Sequence, residues 1–502
     1  MDRTKKAIIN TLIVSLFSLI SSILSFVRYP IYISFLGAEM NGLIQVALQF
    51  CSYLSLMQAG IGSAYLYRMY EPYANGDSNK VFELYNGLKN DIKSIGMKMI
   101  VVLIPGTIFY SLLLSRIQGV DPIITIIIFV LIGLKTILPF VFSTANINLI
   151  LLQENNYIKE ALNSGFLIIG MISEILMMKY LEISIITILS ISLGVVLMPS
   201  LVLWYITNKN HGKELKRING IDCSPRKMTR DILIHKISYI IFNGTDIVLL
   251  SIFSTLVNVT IYTSYNMLMN MPTVLINKII SGVRASIGLK LGRNDANVYD
   301  IFDELVTFSF YISNIVSIVF YICASKFVRL WLGNNFYLNN FTTALFAIIL
   351  FFNLIMPSFL AARDGKGLYK ETRIFTILQA FSNITLSIIL VKPFGINGLL
   401  LATVISILIF KSYFNIKIVY NNVFSEKLIA YKYMLFSLVN AGICILISEL
   451  FFNNADESIQ NWMHFIKYSA IVSILTITIT SITFLIMFPK FKKLIKRIKY
   501  IS

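Results

Sequence analysis

The sequence predicts an all-α integral membrane protein with fourteen transmembrane helices, arranged as two pseudo-symmetric six-helix lobes around a central cavity plus two C-terminal helices. The first observation is composition, since 56% of the 502 residues are hydrophobic and 14% are charged, whereas soluble domains carry about 25% charged residues. The second is that uncharged runs long enough to cross about 30 Å of hydrocarbon recur along the whole chain. The third is an internal repeat that relates the first half of the chain to the second.

Each long, predominantly apolar run predicts one helix, because about 20 such residues are needed to span a bilayer as a helix. The predicted helices one to fourteen are Ala7–Leu36, Asn41–Tyr67, Ile95–Leu114, Pro122–Leu152, Ala161–Met178, Ile183–Tyr205, Asp231–Phe253, Leu256–Val283, Ile301–Ala324, Phe341–Ala362, Arg373–Val391, Ile396–Ile416, Met434–Phe452 and Trp462–Met487. An even number of crossings places both termini on the same side of the membrane.

The lysines and arginines are distributed very unequally between the two sides. Of 43, the side that carries the termini holds 32, including Arg373 and Lys411 near the ends of their helices, and the opposite loops hold five. The positive-inside rule therefore predicts that both termini are cytoplasmic. This topology also explains the net charge of +18 without a nucleic-acid partner.

The repeat predicts the domain organisation. The stretch 77–85 recurs, one residue shorter, at 295–302, and the same offset carries Arg28 onto Asp246. A repeat that spans several membrane helices predicts two similar lobes. The predicted parts are a first lobe at 1–207, a basic cytoplasmic linker at 208–230, a second lobe at 231–420, two additional helices at 421–488 and a basic amphipathic tail at 489–502.

The tail carries apolar residues at helical spacing, surrounded by lysines and an arginine. This apolar stripe consists of Phe491, Leu494, Ile495 and Ile498. The pattern predicts a tail that lies on the anionic inner leaflet. A charge cluster that only stops transfer is the other interpretation.

Charged residues inside the predicted helices are candidate functional residues, because each costs about 2.5–3.5 kcal/mol at a helix centre on insertion scales. Arg28, Lys135 and Lys278 make a basic interior, which suits a phosphate-bearing cargo. Asp246 either holds Arg28 in the empty cavity or takes up H⁺ or Na⁺ to drive the cycle. Glu174 is either a carboxylate satisfied by packing or a proton carrier. Ion pairs that only orient helices are the alternative for the whole set.

Amide side chains on the same helices favour a wet cavity. Asn243 lies in helix seven, and Asn266 and Asn270 lie one turn apart in helix eight. Such faces are expected if these helices line a central cavity, although small polar residues also mediate helix packing in membranes. The three histidines and four scattered cysteines form no metal or disulfide pattern, and no cofactor is predicted.

Three stretches of the sequence form a recognisable pattern: Arg28 followed by Phe35–Leu43, then Gly60–Gly62, then Phe394–Gly398. In these stretches the chain resembles the multidrug/oligosaccharidyl-lipid/polysaccharide (MOP) exporter superfamily, and within it the Wzx-type flippases for O-antigen and capsule repeat units. The resemblance covers nearly all of the chain and is carried by diffuse pattern, without a catalytic signature. It implies alternating access, a polyprenyl-diphosphate-linked oligosaccharide as cargo, and a location in the bacterial cytoplasmic membrane.

The resemblance also sets the alternatives. A lipid II-type peptidoglycan precursor flippase and a cation-coupled multidrug exporter belong to the same superfamily. A membrane glycan polymerase or acyltransferase is the remote alternative, since no intramembrane motif reads as catalytic. The expected partners are the lipid-linked glycan, membrane lipids, H⁺ or Na⁺ as a coupling ion, and a glycan polymerase.

Overall fold

The computed structural model describes residues 3–58, 60–153, 155–181, 183–218, 220–228, 244–292, 298–423, 429–451, 461–488 and 490–493. The helices are α1 Arg3–Leu54, α2 Ile61–Ala74, α3 Ser78–Gln118, α4 Pro122–Leu152, α5 Asn156–Leu176, α6 Ile185–Arg217, α7 Gly244–Phe253, α8 Leu256–Gly292, α9 Val298–Leu332, α10 Asn340–Lys366, α11 Tyr369–Ser406, α12 Asn415–Val423, α13 Ile429–Phe451 and α14 Trp462–Met487. In these described ranges no strand occurs, and ten helices are long and apolar enough to cross a membrane. The predicted all-α, multi-pass membrane class is confirmed.

Two of the long helices contain a chain reversal, so each accounts for two predicted crossings. In α1 the reversal lies at Gly37, which has φ 81°, a left-handed conformation that glycine adopts at little cost. The side chains of Tyr29 and Asn41 meet at 3.2 Å, whereas a straight helix would hold these residues about 18 Å apart. Gly395, with φ 53°, interrupts α11 in the same way.

Several helices extend well beyond the predicted apolar spans. α3 begins at Ser78 instead of Ile95, and its first turn is capped by Asp77, whose side chain accepts a hydrogen bond from the Lys80 N–H at 3.0 Å. α6 continues to Arg217. These extensions carry the lysines that ended the predicted spans, and they pack around buried apolar residues such as Phe82. They form a charged layer on the predicted cytoplasmic side.

The chain divides into two compact units, Met1–Thr260 and Ile261–Ser502. In the first unit, α4 packs between α3 and α6, and α1 packs on α5. Part of the predicted linker is fixed onto α3 of the same unit. The Asp222 N–H donates to the Glu83 carbonyl at 3.0 Å, and Arg226 forms an ion pair with Asp91.

In the second unit, α13 and α14 pack on α9 through buried amides. The Asn440 amide donates to Asn314 Oδ1 at 3.4 Å and to Thr480 Oγ1 at 3.1 Å. Buried amides that bind across membrane helices fix their relative rotation. The last two helices are therefore integrated into this unit.

The start of the tail differs from the predicted lipid-facing stripe. Phe491 is buried, and its ring lies 4.7 Å from that of Tyr311 in α9. The neighbouring Lys490 forms an ion pair with Asp300 at 2.6 Å. Phe491 therefore packs against protein, because an aromatic partner is available on α9. The other three residues of the stripe lie outside the described residues.

Candidate functional site

A buried carboxylate with polar neighbours lies inside the first unit, at the side chain of Glu174 in α5. Arg28 reaches it from α1, with Nη1 2.7 Å from Oε2, and the Tyr32 hydroxyl donates to the same oxygen at 2.9 Å. The Arg28 guanidinium also lies 5.0 Å from the centre of the Tyr32 ring. Because Arg28 and Tyr32 are one helical turn apart, a single face of α1 supplies both contacts.

The other oxygen of Glu174 is bound from α4 and α6. The Ser192 hydroxyl donates to Oε1 at 2.5 Å. The Lys135 ammonium donates to Ser192 Oγ at 2.8 Å and lies 3.6 Å from Glu174 Oε1. Four helices therefore meet at one carboxylate. We refer to Arg28, Tyr32, Lys135, Glu174 and Ser192 as the Glu174 cluster.

The Glu174 cluster carries two positive charges and one negative charge when its members are ionised. The side chain of Glu174 is 4% exposed, that of Lys135 is 18% exposed and that of Arg28 is 31% exposed. Charges inside a membrane need a partner or water, and Glu174 serves two cations at once. One positive charge is thus in excess, and Arg28 is its most accessible carrier. An anion that reaches Arg28 can compete with Glu174 for charge-assisted hydrogen bonds.

The structure brings together three of the predicted site residues, Arg28, Lys135 and Glu174. The ion pair of Arg28 is with Glu174, whereas the repeat had suggested Asp246 as its partner. The repeat relates equivalent positions, and equivalent positions need not touch. Asp246 is buried in α7. At Gly244, α7 approaches α1 so closely that an added Cβ would lie 2.2 Å from Gln49 Nε2.

Of the remaining predicted residues, Asn266, Asn270 and Lys278 lie on α8. Asn266 and Asn270 lie in the second unit, where the Asn270 amide donates to Asn266 Oδ1 at 3.4 Å. The structure does not describe the side chain of Lys278. Asn243 lies outside the described residues. The cavity-lining roles of these four residues stay predictions.

Two members of the Glu174 cluster were not predicted from the sequence. Tyr32 follows Arg28 by four positions, so helical spacing could have indicated that the two share a face. Ser192 is one of several serines in an uncharged run. Only packing of α4 against α6 distinguishes it from the others.

A second polar contact joins the reversal in α1 to the start of α8, on the predicted external side. The Asn41 amide donates to Tyr29 Oη and to Thr260 Oγ1, both at 3.2 Å. The Tyr29 hydroxyl donates to the Thr260 carbonyl at 3.1 Å, and the Thr260 hydroxyl donates to the Ala38 carbonyl at 2.6 Å. We call these four residues the outer latch.

Close backbone packing reinforces the outer latch. An added Cβ at Gly42 would lie 2.1 Å from the Leu256 carbonyl oxygen. The Gln118 amide at the end of α3 donates to the carbonyls of Ser251 and Ser254 at 3.1 and 2.6 Å. The turn between α7 and α8 is therefore held against α1 and α3. Any opening of the first unit at this end must break these contacts.

Metal-ligating side chains do not converge in the part of the chain that the structure describes. There, no group of three or more His, Cys, Asp and Glu side chains is placed to hold a metal ion.

The fold is similar to that of the lipid II flippase MurJ in an inward closed conformation. The chains are 16% identical and match with a TM-score of 0.68, over 94% of this chain and 98% of the other. The fold is also similar to a multidrug resistance MATE family transporter of the MOP superfamily in an inward-facing conformation, with 15% identity, a TM-score of 0.54, and coverage of 84% and 95%. This chain therefore shares the fold of these two membrane proteins. No protein-family model and no curated protein matches its sequence.

Proposed function

We propose that the protein is a flippase that moves a polyprenyl-diphosphate-linked oligosaccharide from the inner to the outer leaflet of the bacterial cytoplasmic membrane by alternating access. The observation that carries the proposal is the Glu174 cluster, a buried site with one positive charge in excess. It occurs in a fold shared with a lipid II flippase. Both termini would then be cytoplasmic, in line with the positive-inside rule.

The chemistry of the Glu174 cluster suits a diphosphate. Arg28 offers a planar fork of N–H donors that matches phosphate oxygens, and Lys135 adds a compact second cation. Glu174 neutralises part of this charge through its contacts with both cations. A diphosphate would bind Arg28 and Lys135 in place of Glu174. Glu174 would then act as a counter-ion whose contacts with the two cations break when cargo binds and form again when it leaves. Protonation of Glu174, or H⁺ or Na⁺ binding at Asp246, would couple the cycle to an ion gradient.

The membrane potential favours the proposed direction. A diphosphate with about two negative charges moves outward down an inside-negative potential and gains roughly 2.3 kcal/mol per charge per 100 mV. A cationic drug would move against the same field and would meet the excess positive charge of the Glu174 cluster. This supports an anionic cargo over a cationic drug, although the MATE transporter has a related fold.

In the proposed cycle, the outer latch closes the path of the cargo to the outer leaflet. Cargo that enters from the cytoplasm reaches the outer leaflet only after the contacts of Asn41, Tyr29 and Thr260 have broken. Each is a neutral hydrogen bond worth about 0.5–1.5 kcal/mol net. Such a closure is strong enough to hold and weak enough to open within a transport cycle. A glycan polymerase that accepts the exported unit is the expected partner.

A flipping assay in proteoliposomes tests the proposal. The substrate is a fluorescent polyprenyl-diphosphate disaccharide, and flipping is followed by its accessibility to a membrane-impermeant quencher. Arg28→Gln and Lys135→Met should each slow flipping at least tenfold, because each removes a charged donor from a buried anion site. Lys179→Met, on the exposed end of the same lobe, should flip at the wild-type rate.

Substrate comparison separates the candidate functions. Preference for lipid II over other diphosphate-linked glycans would favour the lipid II-type alternative. The fold similarity to MurJ supports that alternative. Transport of a cationic dye with no flipping of any diphosphate lipid would overturn the proposal in favour of drug export. Cells that lack the protein should lose surface glycan and regain it with the wild-type chain.

A further inference from the structure

The donors around the Glu174 carboxylate are divided evenly between its two oxygens. Oε2 accepts from the Arg28 guanidinium at 2.7 Å and from the Tyr32 hydroxyl at 2.9 Å. Oε1 accepts from the Ser192 hydroxyl at 2.5 Å and lies 3.6 Å from the Lys135 ammonium. Each oxygen therefore faces one cation and one neutral hydroxyl. All five residues belong to the first unit.

The two hydroxyls are fixed more firmly than the two cations. Tyr32 and Ser192 are 7% and 4% exposed. The side chains of Arg28 and Lys135 are 31% and 18% exposed, and both cations end long side chains with many rotamers. A serine hydroxyl lies one bond from Cβ, and a tyrosine hydroxyl lies on a rigid ring. The cations can therefore move toward an anion while the hydroxyls stay on the carboxylate.

Binding of an anion to the two cations has a cost at Glu174. The side chain of Glu174 is 4% exposed, so water cannot replace the cations that it loses. A buried charge without hydrogen-bond donors is strongly disfavoured. The affinity for an anion therefore depends on how well the carboxylate is stabilised after the cations have moved. Donors that stay on the carboxylate raise that affinity.

Each hydroxyl contributes more after its neighbouring cation has left. While Arg28 is paired with Oε2, it cancels much of the negative charge that the Tyr32 hydroxyl meets. Once the guanidinium has moved to the cargo, the same hydroxyl donates to an uncompensated carboxylate. Hydrogen bonds to charged groups contribute more than those between neutral groups. The Ser192 hydroxyl has the same relation to Lys135 at Oε1.

We propose that Tyr32 and Ser192 are positioning residues, which hold the Glu174 carboxylate in place while the two cations of the Glu174 cluster bind a phosphate group of the cargo. This inference rests on the proposed function, since it concerns the cargo of the same site. Neither hydroxyl needs to contact the cargo. The two hydroxyls raise the affinity for the cargo by stabilising the carboxylate in the cargo-bound state.

Equilibrium binding of radiolabelled geranylgeranyl diphosphate to the full-length protein, in nanodiscs of zwitterionic lipid, tests the inference. Tyr32→Phe keeps the ring, which lies 5.0 Å from the Arg28 guanidinium, and removes only the hydroxyl. It should weaken binding about fivefold to tenfold, the difference between a hydrogen bond to a charged group and one to a neutral group. Ser192→Ala should have an effect of similar size. The matched control is Ser190→Ala, at an exposed position of α6 where the hydroxyl donates to the carbonyl of the preceding turn, and it should bind as the wild type does.

The Glu174→Gln background separates this role from packing. The carboxylate charge is absent there, so Tyr32→Phe and Ser192→Ala should each change the affinity by less than about twofold. Such coupling would identify the carboxylate as the group through which the hydroxyls act. Equal weakening with and without the charge would show a packing role and overturn the inference.

Failure of the proposed function gives a different result. Geranylgeraniol, which lacks the diphosphate, serves as the uncharged probe. Weakened diphosphate binding in Arg28→Gln, with wild-type affinity in both Tyr32→Phe and Ser192→Ala, would overturn this inference and leave the proposed function standing. A wild-type protein that binds the diphosphate no better than the alcohol would overturn both.

Discussion

Replacement of Glu174 by glutamine tests the electrostatic role of the Glu174 cluster most directly. Glutamine keeps the shape and one acceptor oxygen but removes the only negative charge that the described cluster contains. Arg28 and Lys135, at 2.7 and 3.6 Å, then lose their counter-ion. Removing one partner of a buried ion pair costs about 3–5 kcal/mol. Arg28 is 31% exposed, so water offsets part of its share, and we expect a loss near the lower limit of that range, about 3 kcal/mol.

A second substitution distinguishes charge from packing. Glu174→Gln combined with Lys135→Met returns the cluster to one net positive charge, the value in the wild type. We expect the double variant to recover most of the lost stability, although it retains a smaller packing defect. The control is Glu160→Gln on the same helix, where Glu160 pairs with Lys159 at a half-buried position. Such pairs contribute about 0–1 kcal/mol.

The measurement is the free energy of unfolding in mixed micelles, obtained by titration with a denaturing detergent. Binding of a diphosphate probe provides the second readout, because Glu174→Gln no longer competes for Arg28 and should bind the probe more tightly. A single variant as stable as Glu160→Gln, together with unchanged affinity for the probe, would show that Glu174 is not the counter-ion of the two cations. In that case Glu174→Gln would have lost no stability for the double variant to recover.

Three further predictions concern the outer latch and the segment that is fixed on α3. In a background without native cysteines, Asn41→Cys with Thr260→Cys should form a disulfide that abolishes flipping. A reductant should restore flipping. Persistent flipping in the oxidised protein would mean that the outer latch does not open during transport. Gly42→Ala should destabilise the closed form, because its Cβ meets a backbone carbonyl, and should raise the labelling of an introduced latch cysteine by an external thiol reagent. The Ser224 N–H is the main reason that the pKa of Asp222 lies below its usual value of 3.8. The contribution of the ionised Asp222 carboxylate to stability is therefore complete above that pH and is lost as the pH falls through the folded pKa. Proteolysis of residues 220–228 should be constant from pH 5 to 8 and should rise below pH 4.

The membrane-spanning elements could be predicted because hydrocarbon imposes a simple rule on the sequence. The predicted bounds of α4 and α14 coincide with those in the structure. The same rule fails where helices leave the hydrocarbon, because charged residues then no longer indicate an end. α3 thus begins at Ser78, well before the predicted start at Ile95. That extension is stabilised by packing against other helices, which periodicity in one segment does not reveal.

The candidate site could be predicted in its residue types but only partly in its contacts. Intramembrane charge is costly, and this cost singled out Arg28, Lys135 and Glu174. Their convergence depends on how α1, α4, α5 and α6 pack, which is a property of four segments distant in sequence. The pairing of Arg28 with Glu174 was therefore not predicted. Lys411 was predicted near a helix end because the run of apolar residues gave no sign that a π-helical segment, Ile407–Phe414, continues the helix.

The repeat also explains why chemistry and fold symmetry diverge in this protein. Its offset carries Arg28, Lys135 and Glu174 onto Asp246, Asn353 and Lys392, so each charge is reversed or removed. A similar lobe can form in each half despite these charge differences, because helix packing depends on shape and apolar faces. Binding of an anion, in contrast, depends on the sign of each charge, so under the proposed function the two halves would offer a diphosphate different side chains. Under the proposed function, the substitutions at these three positions would make the two halves differ in how they bind an anionic cargo.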